Sequence, residues 1–433
     1  MLPTQSLGNR LDISRSRLMF AEFFISILII VVCIYIILNI FTRGKTIAEE
    51  KFTLWKVQAI DTVKYSRDLA REKQSDTSFD GVIESQVHSI AELGATHVSI
   101  GTPYDEEFIP YLRRWVYASR KNNLKVWFRG NLSGWEGWFD YGPITRQEHK
   151  DKIKNFILRN PDLFEDGDIF TTCTECENGV VGDPRQTKDV YGFRRFLIEE
   201  YMLAKESFRI IDKEVSANYF SMNADVARIV MDKETTKKLD GIVVIDHYVA
   251  SPEKLDNDIR EISQKSGGKV VLGEFGAPIP DIHGKMSEDE QVEWISDVML
   301  RISENKNLLG VNYWTSFGAS TQIWDENGNV RKFGDVLKKY YQPKIFKGII
   351  KNEIGYPLKG VAISTDERST HTNEEGTFSL PYIEDDLLVK IWVSGYKEDK
   401  YLIVDKQDVV ILLKKEKEDA LFKIIKNIYK AFN

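Results

Sequence analysis

Eight short apolar runs, each followed by a stretch with helical spacing, occupy residues 55–342. They read KVQAID (56–61), THVSIG (96–101), LKVWFRG (124–130), DIFTTCTE (168–175), EVSANYF (214–220), GIVVIDHY (241–248), KVVLGEFG (269–276) and LGVNYW (309–314). Runs such as GIVVI and KVVLG are apolar without alternation, the pattern of strands buried on both faces. Strands that alternate with helices form parallel βα units. Eight such units in about 280 residues predict an α/β fold, a (β/α)8 TIM barrel. A doubly wound open sheet is the competing fold, but the Gly-rich phosphate loop that usually follows one of its early strands is missing here.

The pattern changes at Pro343. Short alternating strands broken by turns (FKGIIKN, GVAISTD, GTFSLP, LLVKIWVSG, DVVILLK) predict an all-β sandwich over 343–415. Gly348, Gly355, Pro357, Leu358, Gly360, Val361, Thr370, Thr372, Glu375, Gly376, Phe378, Gly395 and Tyr396 give this stretch its character. The glycines suit turns with positive φ, and Phe378 suits a core position. On these residues the segment resembles the carboxypeptidase-regulatory-like β-sandwich family, which implies a spacer or stabilising module without catalysis.

Both ends carry apolar features. Residues 23–41 hold no charge and are long enough to cross a bilayer as a helix. A short tail (1–22) precedes them and a linker (42–54) follows. No small-x-small cleavage site is evident, so the reading is an uncleaved signal anchor, a single-pass membrane protein with the bulk of the chain outside the cytoplasm. The flanking arginines and lysines lie on both sides and do not fix the orientation by charge. Residues 416–433 read as an amphipathic helix, with Leu421, Ile424, Ile425, Ile428 and Phe432 on one face. Its expected partner is either a membrane surface or a neighbouring domain.

Composition closes several routes. The chain has 433 residues and a formal charge of −7, which argues against a nucleic-acid partner. Three cysteines and six scattered histidines, without HExxH, predict no metal and no cofactor. Cys173 and Cys176 form a CxxC. On an extended strand their Cα atoms would stand about 10 Å apart, too far for a disulfide unless the strand breaks near Thr174.

In a (β/α)8 barrel the chemistry sits at the carboxyl ends of the strands. Polar residues at those ends are Asp61, Arg129, Glu175 with Glu177, Asn218, His247 with Tyr248, and Glu274, with Trp314 ending the last strand. Glu274 follows a buried apolar run, where a carboxylate is costly unless paired or used. Strands four and seven face each other across the mouth, so a fourth-strand glutamate can share one substrate bond with Glu274. Alternation cannot choose between Glu175 and Glu177; position at the strand end favours Glu175. RGNLSGWEGWF (129–139) adds Arg129, Asn131, Trp135 and Trp138, suited to sugar hydroxyls and faces.

These residues resemble clan A glycoside hydrolases over roughly 55–342. The resemblance implies a retaining mechanism on a β-linked oligo- or polysaccharide, by hydrolysis or transglycosylation. Glu274 matches the nucleophile at the end of strand seven, and Glu175 the acid/base at the end of strand four, with Glu177 as the alternative. It implies that His247 or Tyr248 orients the nucleophile and that Trp314 floors the sugar site. The clan carries Asn just before its acid/base; here Thr174 stands in that place. A non-catalytic sugar-binding or cell-surface scaffold on the same barrel is the competing function.

Overall fold

The computed structural model describes residues 52–179, 182–366, 368–383, 387–403 and 408–416. The apolar span expected at 23–41 and residues 417–433 of the expected terminal helix lie outside them. Among the described residues no helix is long and apolar enough to cross a membrane.

Eight parallel strands form one sheet: β1 (Val57–Asp61), β2 (His97–Ile100), β3 (Lys125–Phe128), β4 (Ile169–Phe170), β5 (Ser221–Asn223), β6 (Ile242–Asp246), β7 (Lys269–Phe275) and β8 (Leu308–Tyr313). Their order is β4-β3-β2-β1-β8-β7-β6-β5. The free edges meet through a parallel bridge between Ile169 and Ser216, with Phe170 N donating to Ser216 O at 2.9 Å. One main helix follows each strand: α1 (Asp80–Leu93), α2 (Ile109–Lys121), α3 (Arg146–Arg159), α4 (Val190–Ile210), α5 (Ala224–Val230), α6 (Pro252–Ser266), α7 (Glu288–Glu304) and α8 (Phe333–Tyr341). Local sequence sets their ends. Thr145 with Glu148 and Ser287 with Glu290 form capping boxes that open α3 and α7. Gly94, at φ 104°, closes α1 in the left-handed conformation.

Two strands depart from the sequence expectation. The fourth, expected over 168–175, ends at Phe170; its ladder with β3 is only Trp127–Ile169 and Phe128–Phe170. Beyond that point side chains take over the backbone acceptors: Tyr104 OH donates to Thr171 O and Thr171 Oγ1 to Tyr219 O. The fifth, expected over 214–220, supplies only the bridge at Ser216, and its ladder with β6 lies at Ser221–Asn223.

Inside the barrel, Val57, Ala59, Trp127, Ile169, Tyr219, Val244 and Val271 pack as a closed apolar layer. The outward faces of the strands pack on the helices through residues such as Ile60, Val98, Phe128, Ile245 and Leu272. A strand alternates its side chains, so the chain is apolar on both faces here, as the unbroken runs predict.

Residues after 343 form two small sheets. One has the order β11-β10-β13-β14, the other β12-β9-β15. The strands are β9 (Lys344–Asn352), β10 (Ala362–Ser364), β11 (Ser369–His371), β12 (Thr377–Tyr382), β13 (Leu387–Trp392), β14 (Asp399–Ile403) and β15 (Val409–Leu413). Phe346, Ile350, Ile363, Phe378, Leu380, Val389, Ile391 and Ile411 fill the space between them. Gly376 needs its glycine: φ is 72°, and a Cβ there would stand 2.6 Å from Ile350 O. This module touches the barrel beside the amino end of β8, where Lys306 Nζ donates to Asp366 O at 2.8 Å. That is the end opposite the carboxyl mouth, so the module does not wall the cleft described next.

Candidate active site

Strand alternation lifts a polar layer directly above the apolar one. Asp61, Arg129, Ser221 and Asp246 each lie two residues beyond an inner-layer residue, namely Ala59, Trp127, Tyr219 and Val244. Arg129 is buried at their centre. Its Nη1 donates to Asp61 Oδ2 and Glu274 Oε1, both at 3.0 Å, and its Nη2 to Asp246 Oδ2 at 2.9 Å and Ser221 Oγ at 3.1 Å. Burial works against its charge, but Asp246, Glu274 and Asp61 outweigh that and raise its pKa.

Glu274 reaches this layer by breaking alternation. Val271 and Gly273 face inward, so Glu274 should face out. The pairing of β7 shifts register against β6 at Asp246 and against β8 between Leu272 and Phe275. Such a shift re-aims a side chain, and Glu274 turns into the mouth. Gly273 makes room, since a Cβ there would stand 2.3 Å from Asp246 Oδ1. Tyr248 OH donates to Glu274 Oε2 at 2.8 Å. Burial, with the charges of Glu175 and Asp61, pushes the Glu274 carboxyl up to about 7, while Arg129 and Tyr248 pull it down. Burial also raises the Tyr248 phenol well above its ordinary range, so it remains a donor. Asp246 is raised well above the ordinary carboxylate range by burial, against the pull of Arg129. One guanidinium thus faces three carboxyl groups, more than its single charge can balance.

Asp61, Arg67, Arg129, Glu136, Trp138, Thr174, Glu175 and Glu274 surround a narrow cleft at this mouth. The structure therefore brings Glu175 and Glu274 onto one cavity. Glu175 sits on the turn after β4, not on the strand, with φ 43°. Asn178 Nδ2 donates to its Oε2 at 3.2 Å. Glu177 is buried, with its Oε1 taking the backbone N–H of Asn223 at 2.6 Å, and burial pushes it up to about 7. Trp314, joined to Thr315 by a cis peptide, meets Tyr248 edge-on at 5.9 Å, and Arg67 lies 4.7 Å over Trp138.

Four residues expected to contact substrate are engaged elsewhere in the structure. Asn131 is fully buried; its amide donates to Glu136 Oε1 at 2.7 Å and to Thr174 O at 3.2 Å. Trp135 is buried and stacks on Phe196. Asn218 faces outward and donates to Leu239 O at 3.0 Å, because Tyr219 holds the inward position. His247 turns to Asp258 on α6 at 2.7 Å, leaving Tyr248 to hold Glu274. The CxxC reading is corrected: Cys173 and Cys176 are disulfide-bonded, their Cα atoms 5.3 Å apart. The early end of β4 provides the break that an extended strand would forbid.

Sequence position does not single out Glu136, which lies beyond β3 on a short helical turn (Ser133–Glu136) and not at a strand end. Burial, with the Glu175 charge, pushes its carboxyl up to about 8 from an ordinary 4.5. Its folded-state proton therefore stabilises the fold fully below about pH 4.5, and that contribution is lost as pH rises through about 8. Relative to Glu136→Gln, which cannot ionise, the parent should lose stability between pH 5 and pH 8.5 in urea unfolding. Parallel pH curves for the two proteins would rule this out. Among the described residues no group of three His, Cys, Asp or Glu is placed to hold a metal.

No family model matches the chain, and no curated protein matches it. Solved structures do. A glycoside hydrolase family 5, subfamily 18 protein from Streptomyces cattleya, in complex with Manβ1-4GlcNAc, aligns with TM-score 0.50 at 11% identity, over 68% of this chain and 84% of that one. The two share the (β/α)8 barrel fold. The counterpart from Bifidobacterium longum, also with Manβ1-4GlcNAc, aligns with TM-score 0.48 at 17% identity, over 70% of this chain and 84% of that one. A Bacteroides uniformis β-glucuronidase aligns with TM-score 0.45 at 10% identity; the match takes in 84% of this chain but 46% of the enzyme's length.

Proposed function

We propose that this chain is a membrane-anchored retaining glycoside hydrolase acting on a β-linked glycan outside the cytoplasm. The observation that carries the reading is Glu274, re-aimed into the barrel mouth, held by Arg129 and Tyr248, and sharing one cleft with Glu175. In this mechanism the Glu274 carboxylate attacks the anomeric carbon while Glu175 protonates the departing oxygen. Water, deprotonated by Glu175, or a second sugar then releases the glycosyl group. Arg129 and Tyr248 fix both Glu274 oxygens, so the attacking lone pair is oriented before substrate arrives. Trp314 beside Tyr248, and Trp138, offer flat apolar faces for sugar rings.

The apolar span at 23–41 supports anchoring, and the Cys173–Cys176 disulfide supports an oxidising compartment for the barrel. The sandwich at the far end of the barrel acts as a spacer of the carboxypeptidase-regulatory-like kind.

The test uses the full chain in detergent with aryl β-mannosides, β-glucosides and β-glucuronides and with β-linked oligosaccharides, Manβ1-4GlcNAc among them. Turnover is expected, and proton NMR should show the β-anomer as first product. A first-formed α-anomer would overturn the retaining mechanism. Failure on every substrate, with the protein folded, would favour the sugar-binding scaffold.

The two sixth-strand candidates separate by function. A hydrogen bond to a charged group is worth about 1.5–3 kcal/mol, so Tyr248→Phe should lower kcat/KM by about 10- to 100-fold. His247→Ala should leave kcat/KM within about threefold, because it removes contacts on the helix side only. The reverse ranking in steady-state kinetics would return His247 to the site.

A further inference from the structure

We propose that the Cys173–Cys176 disulfide is a positioning device for the acid/base: a covalent clip that holds Glu175 in the turn from which it faces Glu274. The proposal rests on the glycosidase reading above and adds to it how one carboxyl is aimed. Three observations carry it.

The first is the length of β4. With the ladder ending at Phe170, only two backbone bonds among the described residues, Thr171 N to Phe128 O and Glu175 N to Ser221 O, tie the chain that carries Glu175 to neighbouring strands. The second is the backbone of Glu175 itself. Its φ of 43° is a left-handed conformation in which an L side chain is disfavoured, so it persists only where its surroundings impose it. The disulfide brackets this residue, one sulfur two residues before it and the other one residue after. The third is where the clip is fastened. Both cysteines are buried. Asn131 Nδ2 lies 3.7 Å from Cys173 Sγ and donates to Thr174 O, while Trp135 Nε1 donates to Cys176 O at 3.2 Å. Asn131 is itself held by His149 on α3, whose other ring nitrogen meets Glu200 on α4 at 2.9 Å. Thr174 Oγ1 donates to Arg129 O at 3.0 Å and Glu175 N to Ser221 O at 3.0 Å. Asn131 and Trp135 thus serve the site as anchors of the clip.

A disulfide gains stability mainly by closing a loop in the unfolded chain, and the gain grows with loop length. This one encloses only Thr174 and Glu175. Its main effect is therefore local geometry, and its loss should appear as misplaced acid catalysis. Acid catalysis matters for a poor leaving group and little for one that departs as a stable anion.

The experiment compares the full-length parent with Cys173→Ser/Cys176→Ser in detergent. Each is assayed on paired 2,4-dinitrophenyl and phenyl β-glycosides of whichever sugar the parent turns over. The double variant should lose at least 30-fold in kcat/KM on the phenyl glycoside and less than threefold on the dinitrophenyl one. Equal losses on both would make the disulfide merely structural, and no loss on either would also overturn the proposal. If the double variant does not fold, the parent is treated with a phosphine, which converts the disulfide to two thiols and is oxidised to the phosphine oxide. The same selective loss should then appear and be reversed by oxidised glutathione; unchanged selectivity would overturn the proposal. Alkylation with intact mass analysis of the unreduced, unfolded parent should tag one of the three cysteines. Tagging of all three refutes the clip whatever the activity. A parent inactive on both glycosides, with the bond present, refutes the glycosidase reading and the clip's role with it.

Discussion

Replacing Glu274 with alanine should lower kcat/KM by a factor on the order of 10⁴ or more, about 5 kcal/mol of lost transition-state stabilisation. The loss should be as severe on dinitrophenyl glycosides as on phenyl ones, because a missing nucleophile is not replaced by a better leaving group. Glu175→Ala should behave differently. On dinitrophenyl substrates its first step needs no acid, the glycosyl-enzyme accumulates, and azide should rescue turnover by attacking that intermediate. In Glu274→Ala azide would have to attack from the vacated face, giving a glycosyl azide of inverted configuration. Steady-state rates with and without azide, and NMR of the azide products, therefore assign the two roles separately. Turnover unchanged in Glu274→Ala would remove the site from this mouth altogether. Azide rescue with retained configuration in Glu177→Ala, and not in Glu175→Ala, would move the acid/base one turn onward. The placement of Glu177 argues against that, since one of its oxygens is committed to the Asn223 amide.

The limits of the sequence follow from what alternation can and cannot report. Continuous apolar runs locate buried parallel strands well, because burial on both faces leaves no other pattern. All eight runs lie at or beside a strand of the sheet. Alternation within a run also tells which side chains look inward. Carried forward from Val244 it places Asp246 and Tyr248 inside and His247 outside; carried from Tyr219 it sends Asn218 outside. Position at a strand end alone selects His247 and Asn218; parity sends both outward and brings Asp246 to Arg129. The opposite failure occurs at Glu274. Strict parity would send it outward, and only the register shift in β7 brings it in. That shift depends on how three strands meet in the folded barrel, which no local pattern encodes. The CxxC fails for a similar reason. Its spacing excludes a disulfide on an extended chain, but the β4 ladder ends at Phe170, and past it the Tyr104 hydroxyl takes Thr171 O while the Thr171 hydroxyl bonds Tyr219 O. Asn131 and Trp135 are polar or amphipathic residues in a loop beside the mouth, and only packing reveals that α3, α4 and the Cys176 turn cover them.

Arg129 should prove the most sensitive residue for both stability and chemistry. Among the described residues it is the one buried cation beside Asp61, Asp246 and Glu274, and it bonds all three. Removing one partner of a buried ion pair leaves an uncompensated charge and costs about 3–5 kcal/mol. Arg129→Met keeps much of the volume but strands the carboxylates, so urea unfolding near neutral pH should show a loss in that range. Lowering the pH lets Glu274, whose carboxyl burial pushes up to about 7, take up a proton, which reduces the repulsion. The stability gap between Arg129→Met and the parent should therefore narrow toward pH 4, the opposite of what a simple packing defect would give. The same substitution acts on Glu274. Arg129 opposes the burial that raises the Glu274 pKa, so its loss raises that pKa further. A nucleophile must be ionised to attack, and the acidic limb of kcat/KM on a dinitrophenyl glycoside should move to higher pH in the variant. Arg129→Lys keeps the charge but not the fork that reaches Asp61 and Glu274 from one nitrogen and Asp246 and Ser221 from the other. It should fall between parent and Met in stability, with a smaller shift of the acidic limb. An unmoved limb in Arg129→Met, measured on folded protein, would mean that Arg129 holds the barrel together without tuning the nucleophile.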